Sequence, residues 1–394
     1  MPNKRKNNNQ KKNEENKKRK VEEINITSKE DFDKFINILF PQPPSEINEN
    51  KEIQSDGYDN CNEEEEKEIF DILNVDKITL DKLIEWGDLY HNKKKKICGD
   101  INLKTLWRLK PSLIKLKDMV GLNNVKDSIV KQIIYFLQNL ENGKNDMMHT
   151  LIEGSPGVGK TELGKILGEI YIRMGILKTN RVNINDPNMD ITKIFRIVKR
   201  SDLVGKYLGH TAAQTQEVID SCDGGILFID EVYSLGNFEK RDSFSKECID
   251  TINRNLSEKN NFICIIAGYA KDIDKCFFSV NEGLKRRFPF KYTIEKYSPE
   301  ELCEIFLLKV KKLEWEYGDN KNDLITFFKK NIKSFKHFGG DIETLFLNCK
   351  IQHGLRVFGK HINCKKKLTL EDINNGYKIF VNYKKNNNIE TMYI

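Results

Sequence analysis

The chain has 394 residues, enough for two or three domains of ordinary size. Its apolar content of 38% and charged content of 32% describe a globular part joined to polar tails, and no apolar run is long enough for a membrane helix. The net charge of +7 belongs to residues 1–20, which hold nine Lys/Arg and two Glu, while the rest balances 57 basic against 57 acidic residues. That balance excludes a generally basic nucleic-acid binder and leaves nucleic acid only the tail. The N-terminus is charged but no apolar segment follows, so neither a secretory signal nor a membrane partner is expected. The nine cysteines are odd in number and form no C-x-x-C pair. They read as reduced thiols in a reducing compartment, without zinc.

In chain order, residues 1–68 are expected to be a disordered tail, basic and then acidic, with a short helix at 29–40. Arg5-Lys6 and Lys17-Lys18-Arg19-Lys20 have the spacing of a bipartite nuclear-import signal, which points to an intracellular protein, cytoplasmic or nuclear. A solubilising extension, or electrostatic attraction to nucleic acid, fits the same residues. Residues 69–110 form a helical N-terminal extension, because Ile69, Phe70, Ile72, Leu73, Leu80, Leu83 and Ile84 recur at three and four. Residues 111–296 alternate helices with short apolar strands. Helices are predicted at 123–140 and 161–174, and strands at 150–153, 226–229, 262–267 and just after Arg287. This is the pattern of a parallel sheet between helical layers. From 297 to 385 strand signals vanish, and helices are predicted at 299–313, 323–333, 341–357 and 370–383. Residues 386–394 are a C-terminal tail.

Two motifs carry the chemistry. Gly154-Ser155-Pro156-Gly157-Val158-Gly159-Lys160-Thr161 matches G-x-x-x-x-G-K-[ST], between a predicted strand and a predicted helix. The glycines let backbone N–H groups turn toward phosphates, and the helix N-terminus adds positive potential. Lys160 would neutralise the β- and γ-phosphates, and the Thr161 hydroxyl would ligate Mg²⁺. About 65 residues on, Gly225-Ile226-Leu227-Phe228-Ile229 runs into Asp230-Glu231. A strand ending this way puts two carboxylates at the sheet edge where ligands bind. Asp230 would hold Mg²⁺, and Glu231 would activate the attacking water. The cofactors expected are therefore ATP and Mg²⁺. A third stretch, Asn281 to Phe288, carries Arg286 and Arg287. An arginine from a neighbouring subunit commonly completes a phosphoryl-transfer site, and a solvated turn is the plainer reading.

With these residues in place, the chain resembles the AAA+ ATPases, and among them the CbbX/CfxQ and sporulation-stage-V-K group. The resemblance rests on Ser201-Asp202-Leu203-Val204-Gly205-Lys206-Tyr207-Leu208-Gly209-His210-Thr211-Ala212 and on Gly224 to Leu235, together with Ala267-Gly268-Tyr269 and the Asn281–Phe288 stretch. It covers residues 111–385, and the Asn/Lys-rich length is similar to versions from giant DNA viruses. It implies a three-layer αβα P-loop domain with a small helical lid, assembled as a homo-hexamer that acts on a protein client. Val120, Gly121 and Leu122 would line the adenine pocket. Tyr207 would sit on a pore loop and grip the client. Arg287 would be the trans-acting arginine, and Arg286 stands where the group usually has Ser. The lid reads Gly339-Gly340-Asp341-Ile342-Glu343, without the arginine the group carries there, so Gly339 and Gly340 are expected beside the base. Residues 183–196 look like an insertion. No Asn follows the 262–267 strand, which leaves Tyr269 as the candidate γ-phosphate sensor. Two further functions fit the motifs: an ATPase working on nucleic acid, and a scaffold that senses nucleotide with little turnover.

Overall fold

The structure is a computed structural model that describes residues 78–91, 102–138, 148–207, 209–236, 242–281 and 283–390. The import-like tail, the helix expected at 29–40, Leu208 and Glu282 lie outside these residues. Five strands form one parallel sheet: β1 (Thr150–Gly154), β2 (Phe195–Val198), β3 (Gly225–Ile229), β4 (Phe262–Gly268) and β5 (Phe290–Ile294), in the order β2-β3-β4-β1-β5. Alternate residues of a strand face opposite ways. Ile152, Ile226, Phe228, Ile263 and Ile265 accordingly enter one apolar core, while Leu151, Leu227, Ile229, Cys264 and Ile266 enter another. With both faces buried, β3 and β4 read in sequence as continuous apolar runs.

Among the described residues, helices flank the sheet and make up most of the segment that follows it. They are α1 (Leu80–Asp88), α2 (Leu103–Asp118), α3 (Asn123–Leu137), α4 (Lys160–Met174), α5 (His210–Asp220), α6 (Ser243–Glu258), α7 (Pro299–Lys312), α8 (Lys321–Asn331), α9 (Phe338–Val357) and α10 (Leu370–Glu390), with a single turn at Arg200–Leu203. Helix α2 spans residues 110 and 111, where the extension was expected to meet the core. Its stripe of Leu106, Leu109, Leu113 and Leu116 is fully buried, which holds the helix through Pro111. Ser112 and Lys115 then both donate to the buried Glu169 of α4, at 3.0 and 2.6 Å.

One expectation needs correction. The segment after 297 is not purely helical, because β6 (Glu316–Tyr317) pairs in parallel with β7 (Lys367–Leu368). Two residues are too few to leave a strand pattern. The stretch 183–196, expected as an insertion, ends in Phe195 and Arg196, which open the edge strand β2. The loop before β2 is stapled by Arg173 of α4, which donates to the carbonyls of Ile184, Asp186 and Pro187 at 3.1, 2.9 and 3.1 Å.

Candidate active site

Three strand ends converge at the carboxyl edge of the sheet. The glycine-rich loop follows β1, Asp230 and Glu231 follow β3, and Tyr269 follows β4, which lies between them. Val158 is buried and anchors the loop. Gly159 caps α4 in a left-handed conformation (φ 92°) and offers no side chain to the first helical turn, so its N–H groups are left for an anion. Lys160 folds back, and its Nζ donates to the carbonyls of Gly154 at 3.0 Å and Ser155 at 2.9 Å. Burial pushes its pKa down, against the pull of Asp230 and Glu231. The Thr161 hydroxyl donates to Asp230 Oδ2 at 3.1 Å, and Asp230 Oδ1 accepts from the Glu231 N–H at 3.0 Å. A hydroxyl and a carboxylate in contact are hard oxygen donors of the kind Mg²⁺ takes, so the donor set fits that ion. Glu231 is exposed and left-handed (φ 51°).

The lid meets the loop directly. Gly339 N–H donates to the Gly157 carbonyl at 2.9 Å. A Cβ on Gly157 would fall 1.9 Å from the His337 oxygen, and one on Gly339 would fall 2.7 Å from the Gly157 oxygen. Gly340 faces open space on its Cβ side. Asp341 caps the first turn of α9 by accepting from the His337 N–H at 2.8 Å, and Lys384 pairs with it at 2.7 Å. Both lid glycines therefore stand beside the glycine-rich loop. Val120 and Gly121 line a cleft of about 450 Å³ with Leu307, Leu308 and Lys311 of α7. Their neighbour Met119 reaches nearer the loop, with its Cε 3.6 Å from where a Cβ of Gly159 would lie.

The other singled-out residues lie elsewhere. Arg286 is exposed and Arg287 half-buried in a short turn, Lys285–Arg287, just before β5. That is the amino edge of the sheet. Because β5 runs parallel to β1, Arg287 stands roughly 15–20 Å from its own glycine-rich loop, at about 3.3 Å per strand residue. It neighbours His149, whose buried ring accepts from the Cys264 N–H at Nδ1 (3.0 Å) and contacts the Leu256 carbonyl through Nε2 (3.2 Å). Burial holds His149 down to about 4, with Arg287 adding repulsion. Tyr207 is 69% exposed and meets the His210 ring edge-on at 5.7 Å.

No sequence motif assigned a role to two tyrosines here, although Tyr233 falls within the Gly224–Leu235 stretch. Tyr297 donates to the Val158 carbonyl at 2.9 Å, and burial pushes its hydroxyl up to about 12. Tyr233 stacks on Tyr269 with ring centroids 5.1 Å apart. An aromatic just past a strand or an acidic pair matches no phosphate-site motif, so only its place in the fold reveals it.

Residues 150–295 match the family described as ATPases associated with various cellular activities, AAA. Among the relatives is a cfxQ-like protein, R730, of Acanthamoeba polyphaga mimivirus, 46% identical over 82% of this chain and 77% of its own length. Stage V sporulation protein K of Bacillus subtilis is 32% identical over 56% of this chain and 66% of its own length. The chloroplastic ribulose bisphosphate carboxylase/oxygenase activase of Cyanidioschyzon merolae is 29% identical over 62% of this chain and 78% of its own length.

Proposed function

Because this chain belongs to the AAA family of ATPases, in its CfxQ-like group, we propose that it couples Mg-ATP hydrolysis to remodelling of a protein partner as a homo-hexameric ring. The observation that carries this reading is the convergence of Lys160, Thr161, Asp230 and Glu231 at one sheet edge. Lys160 would leave the Gly154 and Ser155 carbonyls for the phosphates, where its ammonium offsets their charge. Thr161 and Asp230 would hold Mg²⁺, which supplies charge neutralisation across the phosphates. Glu231 would accept the proton of the attacking water. Arg287 lies too far from its own glycine-rich loop to serve it, which supports a role at a neighbour's site. A relative whose name is that of an enzyme's activase supports a protein client. Tyr207, exposed on its loop, would grip that client. The balanced charge outside the tail argues against nucleic acid as the substrate.

The test is turnover with mixing. Lys160→Ala and Glu231→Gln should each abolish steady-state ATP hydrolysis. Arg287→Ala should also be inactive alone, yet regain activity when co-assembled with Lys160→Ala, because mixed interfaces rebuild whole sites. Full activity in Lys160→Ala overturns the ATPase assignment. Co-assembled but inactive mixtures overturn the trans arginine. Glu231→Gln loaded with ATP should hold the client for identification by mass spectrometry.

A further inference from the structure

The segment that carries Tyr207 is fastened to the turn that carries the acidic pair. β2 ends at Val198, whose carbonyl accepts from the Asp230 N–H at 3.2 Å. Two residues on, Arg200 opens the turn Arg200–Leu203 and reaches the short turn Val232–Leu235, which follows Glu231. Its Nη1 donates to the carbonyls of Ser234 and Leu235 at 2.9 and 3.0 Å, and to the buried Ser245 Oγ at 2.9 Å. Its Nη2 pairs with Asp242, the N-cap of α6. The Ser234 N–H in turn donates to the Glu231 carbonyl at 2.8 Å. Both ends of the stretch 230–235 are thereby tied to residues 198–200.

On its other side Arg200 leads to the exposed loop. The Val204 N–H donates to the Arg200 carbonyl at 2.9 Å, and the buried Thr215 hydroxyl donates to the Leu203 carbonyl at 2.8 Å. The Gly205 N–H donates to the buried Thr211 Oγ1 at 3.1 Å. Residues 200–205 therefore shift as one piece with the start of α5, and the exposed side chains of Lys206 and Tyr207 follow directly. The Arg200 side chain is 35% exposed, so its ion pair with Asp242 adds little stability. What a planar guanidinium supplies here is a fixed connection between two segments. We propose that Arg200 is a positioning residue that couples the nucleotide site to the Tyr207 loop. The proposal rests on Lys160, Thr161 and Asp230 forming that site. Binding that parts the Thr161 hydroxyl from Asp230 shifts the acidic turn, and the hydrogen bonds through Arg200 carry the shift to the loop. An arginine that only braced the fold would act otherwise: its loss would lower stability and leave the loop's response to nucleotide intact.

Amide hydrogen exchange over residues 201–207 of the full-length protein reads the coupling, without and with a saturating non-hydrolysable ATP analogue and Mg²⁺. In the parent protein, exchange should change at least about fivefold on binding, the low end of ordinary coupling between sites. Arg200→Met keeps the apolar stem and removes the donors, and at 35% exposure water can take up the abandoned carbonyls. It should bind the analogue with a Kd within about twofold of the parent, while its exchange changes by less than about twofold. Ser245→Ala trims the same network on the α6 side only and should keep the parent's response. If Arg200→Met does not fold, Arg200→Lys replaces it, since a point charge cannot reproduce the planar fork, and should lose at least half of the response. A full response in the arginine variant overturns the coupling, as does a parent that binds the analogue with no change over 201–207. A loss in Ser245→Ala as large as that in the arginine variant also overturns it, because general loosening would then be the cause. A parent that does not bind the analogue sinks the nucleotide-site reading and the coupling with it, and the Kd measurement identifies that as the failed step.

Discussion

Gly157 and Gly159 offer a matched pair for measuring what the lid contributes to the glycine-rich loop. Both are left-handed, at φ 73° and 92°. An alanine at either position pays about 1–2 kcal/mol for that conformation. At Gly159 the added Cβ meets only Met119 Cε at 3.6 Å and the Tyr297 hydroxyl at 3.9 Å, ordinary contacts. At Gly157 it falls 1.9 Å from the His337 oxygen and 2.9 Å from its carbonyl carbon, both backbone atoms that cannot swing aside. The start of α9 must retreat by about 1 Å to restore a contact near 3 Å. That movement breaks the Gly339-to-Gly157 hydrogen bond, worth about 0.5–1.5 kcal/mol net. Gly157→Ala should therefore melt about 2–4 °C below Gly159→Ala by calorimetry without nucleotide, taking about 1 kcal/mol as the excess. Amide exchange over residues 337–341 should speed up in Gly157→Ala alone. Equal melting temperatures with equal exchange would refute the lid contact.

Two further outcomes follow from single residues. Burial holds His149 down to about 4, against about 6.5 in an unfolded chain. Between those values the unfolded chain binds more protons, so stability falls as pH drops from 6.5 to 4 and levels off below. The loss attributable to His149 has a ceiling of about 3 kcal/mol, and His149→Gln should flatten the melting temperature against pH across that window. Parallel slopes in the two proteins would rule His149 out as the cause. Tyr207→Ala should leave the melting temperature within about 1 °C, because the ring is 69% exposed, and ATP hydrolysis within about twofold. Client remodelling should be lost; undiminished remodelling would remove Tyr207 from the gripping role.

What was legible in the sequence follows from how each residue is buried. β3 and β4 are buried on both faces, so they stand out as unbroken apolar runs between polar turns. The glycine-rich loop was legible because phosphate-binding loops demand residue types at fixed spacing, and Gly154–Thr161 has them. β2 was not, because it is an edge strand paired only with β3, and Arg196 and Ile197 in its middle are exposed. Helical periodicity found the α1 region but not its partner: an apolar stripe says that a face is covered, not by what. Leu83 and Trp86 enter the same core as Leu163 of α4, which only the tertiary structure reveals. The lid's contact was half legible. The two adjacent glycines were expected beside the base, and nothing in the sequence signalled that Gly339 also meets the carbonyl of Gly157.

The candidate residues divide between the two edges of the sheet. The glycine-rich loop, the acidic pair and Tyr269 follow the carboxyl ends of β1, β3 and β4, the edge where parallel sheets bind ligands. The two arginines precede β5 and so stand at the opposite edge, with Arg287 beside the neutral ring of His149. No side-chain rotation spans that separation, and moving the turn would mean unpairing β5 from β1 along all five residues of its register. An arginine so placed either caps its own sheet edge or serves a second copy. Of the pair, Arg286 is exposed and Arg287 half-buried. An inward-held arginine is pre-oriented and loses less entropy on meeting a phosphate than a free one. That favours Arg287 for the trans contact and leaves Arg286 to the rim, so mixing Arg286→Ala with Lys160→Ala should raise activity little above that of Arg286→Ala alone.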